Sequence, residues 1–403
     1  MLQKKSPIIY RGSVKNIRMV RKPQRKTPGQ YVFEFTDDYS VFDYGKMPDP
    51  LRGKGCAIAM MSAYLFEDLA NPLSWKRLFR KTDIWKKLGG AEVWNRLRRS
   101  PARKMLSTRG LRSHYVGLLD HKGKCRSFDQ LNEPTNKLLV KAVPVLSPMP
   151  VSMEEQVFWD YNAFHPGLPQ FLIPLENIFR FGVPRGSSLL DRLKRNPAYG
   201  NQIGLSRVPR EGEWLPRPVL EFFSKLEPLD RHLSLETALN FSGLDGKGFC
   251  VLRDTSLLVA VFLYDLFLAR GLDLWDGKFE FVKVNDEILL ADSITPDKLR
   301  ITSKGTQLSK EPLRQYYKNN DPDFLQAMKT IKGKGLASGH AIRREVKKHL
   351  KRSPKKLNNE FRKIMEQMYQ SLTYRITGSG LFSDAMDLDS VVHFLQEKGG
   401  VPG

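Results

Sequence analysis

The stretch WDGKFEFVKVNDEILLADSITPDKLR, residues 275–300, constrains the fold more than any other. Its first half alternates strictly. Trp275, Phe279 and Phe281 fall on one side of an extended strand, and Asp276, Lys278 and Glu280 on the other. Asn285-Asp286-Glu287 supplies a three-residue loop that sets Val284 opposite Ile288 and Glu280 opposite Asp292. Two facing carboxylates repel unless a cation lies between them. Mg²⁺ characteristically takes one or two protein carboxylates together with substrate phosphates, and Lys278, one pleat away, would steady a phosphate. From this segment alone, an exposed hairpin with a solvated charged face is the simpler account.

The remaining text alternates strands and helices in a way that predicts an α+β fold rather than a doubly wound parallel sheet. Strands are expected at 30–45, at NKLLVKAVPV (136–145) and at QFLIPLENIFRF (170–181). A helix begins after Gly53, and helical periodicity returns near 311–331 and 357–374. The apolar run TSLLVAVFLYDLFLA (255–269) is too short to span a bilayer and is broken by Asp265, so it reads as a buried helix. Residues 74–112 carry thirteen lysines and arginines against Asp83 and Glu92, with Trp75, Trp85 and Trp94 interleaved. A nucleic-acid surface is one account, but no RNA or DNA motif accompanies the charge. A solvated amphipathic helix pair anchored by its tryptophans is favoured.

With 66 basic and 43 acidic residues the 403-residue chain has a formal charge of +23, which attracts polyanions or small phosphorylated substrates. Three scattered cysteines and no signal-like N-terminus point to a reducing, cytoplasmic setting without membrane attachment. The seven histidines show no zinc spacing.

Six ordered segments together resemble the SAICAR synthetase family (phosphoribosylaminoimidazole-succinocarboxamide synthase, of purine biosynthesis). DGKFEF (276–281) is similar to its D-x-K-x-E-F signature, and EILLADSITPDKLR (287–300) to the paired strand with T/S-P-D-x-x-R. IPLENIFRFGVPRGSS (173–188) resembles P-x-E-x-x-x-R followed by Gly-Ser. TDDYSVFDY with PLRGKG (36–55), YRGSVKNI (10–17) and LPRPVLEFFSKLEP (215–228) resemble three further blocks. The resemblance implies a two-lobed α+β fold of antiparallel sheets with an ATP-binding cleft between the lobes. Residues 1–145 would form the nucleotide lobe, carrying a basic insertion at about 70–112, and 146–403 the substrate and metal lobe. It further implies a ligase that uses ATP and Mg²⁺ to activate an imidazole ribonucleotide carboxylate as an acyl phosphate, which the amine of L-aspartate then attacks. By resemblance, Glu280 and Asp292 hold the metal, and Lys278, Lys225 and Asp276 serve the chemistry. Gly12, Ser13, Val14 and Lys15 cover the triphosphate, and the strand with Lys141 and Val143 lines the adenine. Arg180, Ser187 and Arg300 hold the ribose phosphate, with Ser187 and Ser188 both candidates because one extra residue precedes Gly186. A homodimer is left open.

The chain departs from the family pattern at Ser13, Ser293 and LDRHL (229–233), and carries a second insertion at 147–170. Two other accounts therefore stand beside the plain one. The same acyl-phosphate chemistry could serve another heteroaromatic carboxylate or amine, as in C-nucleoside synthesis. Alternatively the chain could be a non-catalytic nucleotide or nucleic-acid binder, against which Lys278, Glu280 and Asp292 argue together.

Overall fold

The computed structural model describes residues 6–154, 156–332 and 339–398. Strands β1 (Ile8–Arg11), β2 (Lys15–Arg21), β3 (Gly29–Phe35), β4 (Tyr115–Leu119), β5 (Cys125–Arg126) and β6 (Lys137–Ala142) form a six-stranded sheet. Its order is β1-β2-β3-β6-β4-β5, with antiparallel pairing throughout. The turn between β1 and β2 is Gly12-Ser13-Val14, closed by the Gly12 amide donating to the Lys15 carbonyl at 3.0 Å. A Cβ at Gly12 would lie 2.7 Å from that carbonyl oxygen, so the turn has no room for a side chain there.

Between β3 and β4 run α1 (Lys54–Ala70), α2 (Pro72–Arg80), α3 (Asp83–Leu88), α4 (Ala91–Arg99) and α5 (Pro101–Arg109). The basic segment is thus four short helices rather than the expected pair. The breaks have local causes. Asn71 and Ser100 cap helices whose first residue is proline, and Gly89 and Gly90 have φ of 67° and 71°. Trp75 is fully buried against Phe262, with ring centroids 4.8 Å apart. Trp85 is buried and stacks on Trp94. The tryptophans anchor this segment while most of its cations face solvent.

In the second insertion, β7 (Met149–Met153) and β8 (Gln156–Asp160) pair only with each other. The second large sheet has eight strands. They are β9 (Gln170–Leu172), β10 (Leu175–Val183), β11 (Glu213–Ser224), β12 (His232–Leu233), β13 (Asp273–Val284), β14 (Glu287–Ala291), β15 (Leu299–Ser303) and β16 (Thr306–Gln307). The order is β12-β11-β10-β13-β15-β16, with β9 and β14 flanking the distal half of the long strand β13.

Helices α6 (Ser188–Arg195) and α7 (Ala198–Gln202) link β10 to β11, and α8 (Leu235–Phe241) and α9 (Gly246–Leu268) link β12 to β13. The predicted apolar helix is the second half of α9. Being apolar on every side, it can only be interior. The whole of α9 lies under the aromatic face of the sheet, where Phe181 meets Tyr264 at 5.0 Å and Phe222 meets Phe249 at 5.2 Å. Each such buried ring contributes about 1.5–3 kcal/mol. The chain ends in α10 (Glu311–Asn320), α11 (Pro322–Lys332), α12 (Gly339–Leu350), α13 (Asn359–Thr377) and α14 (Leu388–Lys398). Gly378, at φ 66°, ends α13 where a Gly-Ser-rich break was expected. One apolar core runs from Phe33 and α1 through α9 to α13 and α14.

Candidate active site

Alternation along the second sheet puts its chemistry on the face opposite α9. Glu176 and Arg180 on β10, Glu221 on β11, Asp276, Lys278 and Glu280 on β13 and Arg300 on β15 share it. The pairings Arg180–Asp276, Ile178–Lys278, Ile178–Glu221 and Asp276–Arg300 fix that register.

At one end lies an arginine cluster. Arg180 is buried and donates from Nη1 to Asp276 at 3.0 Å, from Nη1 to Ser187 Oγ at 3.4 Å and from Nη2 to Ser188 Oγ at 3.2 Å. Both serines therefore reach the guanidinium, although Ser187 also caps α6 by accepting from the Leu189 amide. Arg300 Nη1 lies 3.4 Å from Asp276 and its Nη2 donates to the Gly186 carbonyl at 3.3 Å. Asp276, expected among the groups serving the chemistry, sits here as the anion shared by the two arginines. Glu221 pairs with Arg180 and Arg192 and accepts from the Tyr199 hydroxyl at 2.7 Å. Burial alone would raise its carboxyl, but the two guanidinium groups outweigh that and lower it. A cavity of about 190 Å³ opens beside this cluster, and Lys310 and Arg314 add two further cations to its wall.

Next to it, ionic groups alternate in a line. Lys278 binds both Glu176 oxygens, at 2.9 and 2.8 Å. Lys225 reaches Glu176 at 3.5 Å and Glu280 at 2.9 Å. Lys298 bonds Glu280 at 2.9 Å and also Asp292, which in turn pairs with Lys15 from β2 of the first sheet. Four lysines thus interleave three carboxylates. Burial, together with the other lysines, brings Lys298 down to about 7 against the pull of Glu280, and burial brings Lys15 down to about 8. Glu280 would be raised by burial, but Lys298 and Lys225 hold it well below the usual carboxylate range.

The hairpin register differs from the expected one. The turn is two residues, Asn285-Asp286, so Val284 faces Glu287 and Glu280 faces Ala291 instead of Asp292. Asn285 takes φ 53°, a left-handed conformation asparagine tolerates, and this shortens the loop. A one-residue slip would normally send Asp292 to the opposite face. Asp292 escapes this because it lies past the end of β14 with φ 64°, so the pleat is broken at that residue. Its carbonyl accepts from His114 Nε2 at 2.8 Å. That bond fixes the Nε2–H tautomer, and burial, then nearby Lys15, push the imidazole down to about 3.

The remaining expected residues lie around this line. Gly12, Ser13 and Val14 form the turn leading into Lys15. The Lys141 amide on β6 donates to the His114 carbonyl at 2.7 Å. Val143 is buried in a small apolar group with Val282, Leu289 and Ala291. Glu176, Glu221, Lys298 and His114 were not assigned roles from sequence. Glu221 was visible as an acidic residue within an apolar strand, and Lys298 as a cation six positions after Asp292. Nothing local marks His114.

The donor set fits a hard cation. Glu280 and Asp292 converge on one ammonium, so their carboxylates already share a cation position, with the chemistry Mg²⁺ prefers. Among the described residues no three or more acidic, histidine or cysteine side chains converge in this way, so such an ion would need oxygens from a substrate.

A family model described as SAICAR synthetase matches residues 171–331. A protein of Archaeoglobus fulgidus, provisionally named phosphoribosylaminoimidazole-succinocarboxamide synthase, is 33% identical over 390 residues, spanning 96% of this chain and 99% of that one. The chain belongs to the SAICAR synthetase family. The phosphoribosylaminoimidazole-succinocarboxamide synthase of Thermoplasma volcanium is 26% identical over 302 residues, 72% of this chain and 78% of its own. The structure of a SAICAR synthase from Saccharomyces cerevisiae complexed with SAICAR shares the fold, with a TM-score of 0.52 and 20% identity over 94% of this chain and 97% of that one. The SAICAR synthetase model covers Glu176, Glu221, Glu280, Asp292 and Lys298 but stops short of Lys15 and His114. Those two lie outside the matched residues, while the likeness to the Archaeoglobus fulgidus protein spans 96% of this chain.

Proposed function

We propose that this chain is an ATP-dependent ligase that joins the carboxylate of an aminoimidazole ribonucleotide to the amine of L-aspartate, making the succinocarboxamide of purine biosynthesis in a cytoplasmic setting. The observation that carries this reading is the line of alternating lysines and carboxylates running into a buried arginine cluster, on one sheet face of a chain alike over its whole length to a provisionally named synthase.

The chemistry requires two charge movements. A carboxylate is a poor electrophile, so a carboxylate oxygen first attacks the γ-phosphorus of ATP and ADP leaves. The aspartate amine then adds to the carbonyl carbon of the acyl phosphate, inorganic phosphate departs, and the amide remains. Both steps concentrate negative charge, and fixed cations stabilise that charge without reorganisation. Lys278 and Lys225 would do this, with Lys15 bringing a third ammonium from the first sheet. Glu280 and Asp292 would hold Mg²⁺, which supplies further charge neutralisation on the phosphates when bound. Arg180, Ser187, Ser188 and Arg300 would receive the ribose phosphate, where guanidinium forks and the start of α6 suit an anion. Asp276 keeps both forks aimed. The turn Gly12–Val14 would lie over the triphosphate, with Lys141 and Val143 at the adenine, making residues 1–145 the nucleotide lobe and 146–403 the substrate lobe.

The test is product formation by purified protein with Mg-ATP, the aminoimidazole carboxylate ribonucleotide and L-aspartate, followed by mass spectrometry with ADP release. Succinocarboxamide with stoichiometric ADP is the expected outcome. Mg-ATP binding without product would move the proposal to another carboxylate or amine, and absence of both would sink it. Sizing the active species in the same preparation tests for a homodimer.

A further inference from the structure

We propose that Lys298 is a tethered cation, holding the position between Glu280 and Asp292 that a divalent ion would take, so that the ion enters only together with nucleotide. The inference rests on the reading above, in which these two carboxylates hold the metal.

Of the lysines in the line, Lys298 alone touches both carboxylates. Lys225 holds Glu280 and Lys15 holds Asp292, each from its own side. The backbone of Lys298 is fixed, its amide donating to the Thr295 carbonyl at 2.9 Å and its carbonyl accepting from the Lys278 amide at 3.2 Å. The ammonium is therefore carried on a flexible stem from a fixed backbone. Its side chain keeps 17% of its exposure, so it has somewhere to swing.

A divalent ion arriving alone must displace this ammonium. The displaced charge finds Lys15 and Lys225 close by, with the carboxylates of the line already engaged. Like charges crowded into a partly desolvated site repel one another strongly. Nucleotide changes the balance, because its phosphates give Lys298 new acceptors while adding oxygens to the ion. Binding of ion and nucleotide thus becomes mutually reinforcing, and the reinforcement is reciprocal. Removing the Lys298 charge leaves Lys15, Lys225 and Lys278 against Glu176, Glu280 and Asp292, an even balance with the gap between two carboxylates left open.

Mn²⁺ serves as the probe, with free Mn²⁺ read by electron paramagnetic resonance on the purified full chain, with and without a non-hydrolysable ATP analogue. Wild type is expected to bind Mn²⁺ about tenfold or more tightly with the analogue than without it. Lys298→Met should bind Mn²⁺ without nucleotide about tenfold more tightly than wild type, and gain little from the analogue. Lys298→Arg keeps a cation and should follow wild type. In a wild type that binds the analogue, equal Mn²⁺ affinity with and without it would overturn the proposal, and needs no variant to fold. So would a folded Lys298→Met that binds Mn²⁺ no better than wild type. If wild type fails to bind the analogue, the ligase reading falls, and the nucleotide-free comparison with Lys298→Met still judges Lys298.

Discussion

Glu280 concentrates the case for chemistry at the scale of single residues. It is buried, yet it stays ionised because Lys225 and Lys298 both contact it at 2.9 Å. A charge held there at such cost in desolvation makes sense if ions and phosphates come to it. Glu280→Gln should lower kcat by about a hundredfold or more while circular dichroism stays unchanged. Unaltered turnover in a folded variant would refute its role. Glu221 is also buried and ionised, but Arg180, Arg192 and Tyr199 occupy it fully, which is the pattern of a positioning residue. Glu221→Gln leaves two guanidinium groups short of a counter-charge, and should cost about 3–5 kcal/mol in urea denaturation. Neither residue was equally legible beforehand. Glu280 stands out by alternation and by motif, whereas Glu221 needs its partners from α6 and α7 before its purpose is visible.

Individual elements show where local rules sufficed and where they did not. The helix α9 follows directly from apolar text that has no alternative to burial. The hairpin of β13 and β14 was legible as a hairpin, but not in register. Turn length there depends on the left-handed conformation of Asn285, a choice of one residue that shifts every pair. The basic insertion was legible as helical and anchored, while its division into α2–α5 came from caps and glycines. Trp75→Ala should therefore destabilise the protein by about 3–5 kcal/mol, by loss of a fully buried ring. Lys87→Glu, on the exposed side of α3, should change stability by less than about 0.5 kcal/mol. Thermal melts of the two variants would separate anchor from surface.

Across the whole molecule, ion pairs join parts of the chain that sequence order keeps apart. Asp297 accepts from Lys54 of α1 at 3.0 Å and from the Tyr369 hydroxyl of α13 at 2.9 Å. Burial would raise its carboxyl, but Lys310, Lys54 and Tyr369 outweigh this and hold it at about 2, below its unfolded value of 3.8. The stabilisation is thus complete above the unfolded value and disappears as pH falls through the folded one. Stability should decline between about pH 4 and pH 2 with a slope of up to about 1.4 kcal/mol per pH unit from this group, and Asp297→Asn should lack that component. The formal charge of +23 belongs to the same scale. For the three anionic substrates proposed, raising ionic strength from about 0.05 to about 0.3 M should lower kcat/KM by about threefold or more and leave kcat nearly unchanged. A rise or no change would mean the surface charge steers nothing. The sequence alone determined the α+β class, the buried helix, the charged strand face and its lysines and carboxylates, because each depends on periodicity or on short motifs along the chain. Only tertiary structure decided that Lys15 meets Asp292 across 277 positions, that His114 bonds the backbone carbonyl of that residue, and that Lys298 sits between two acids. Long-range electrostatic partners leave no local pattern, since their proximity is set by how sheets pack and not by spacing in the chain.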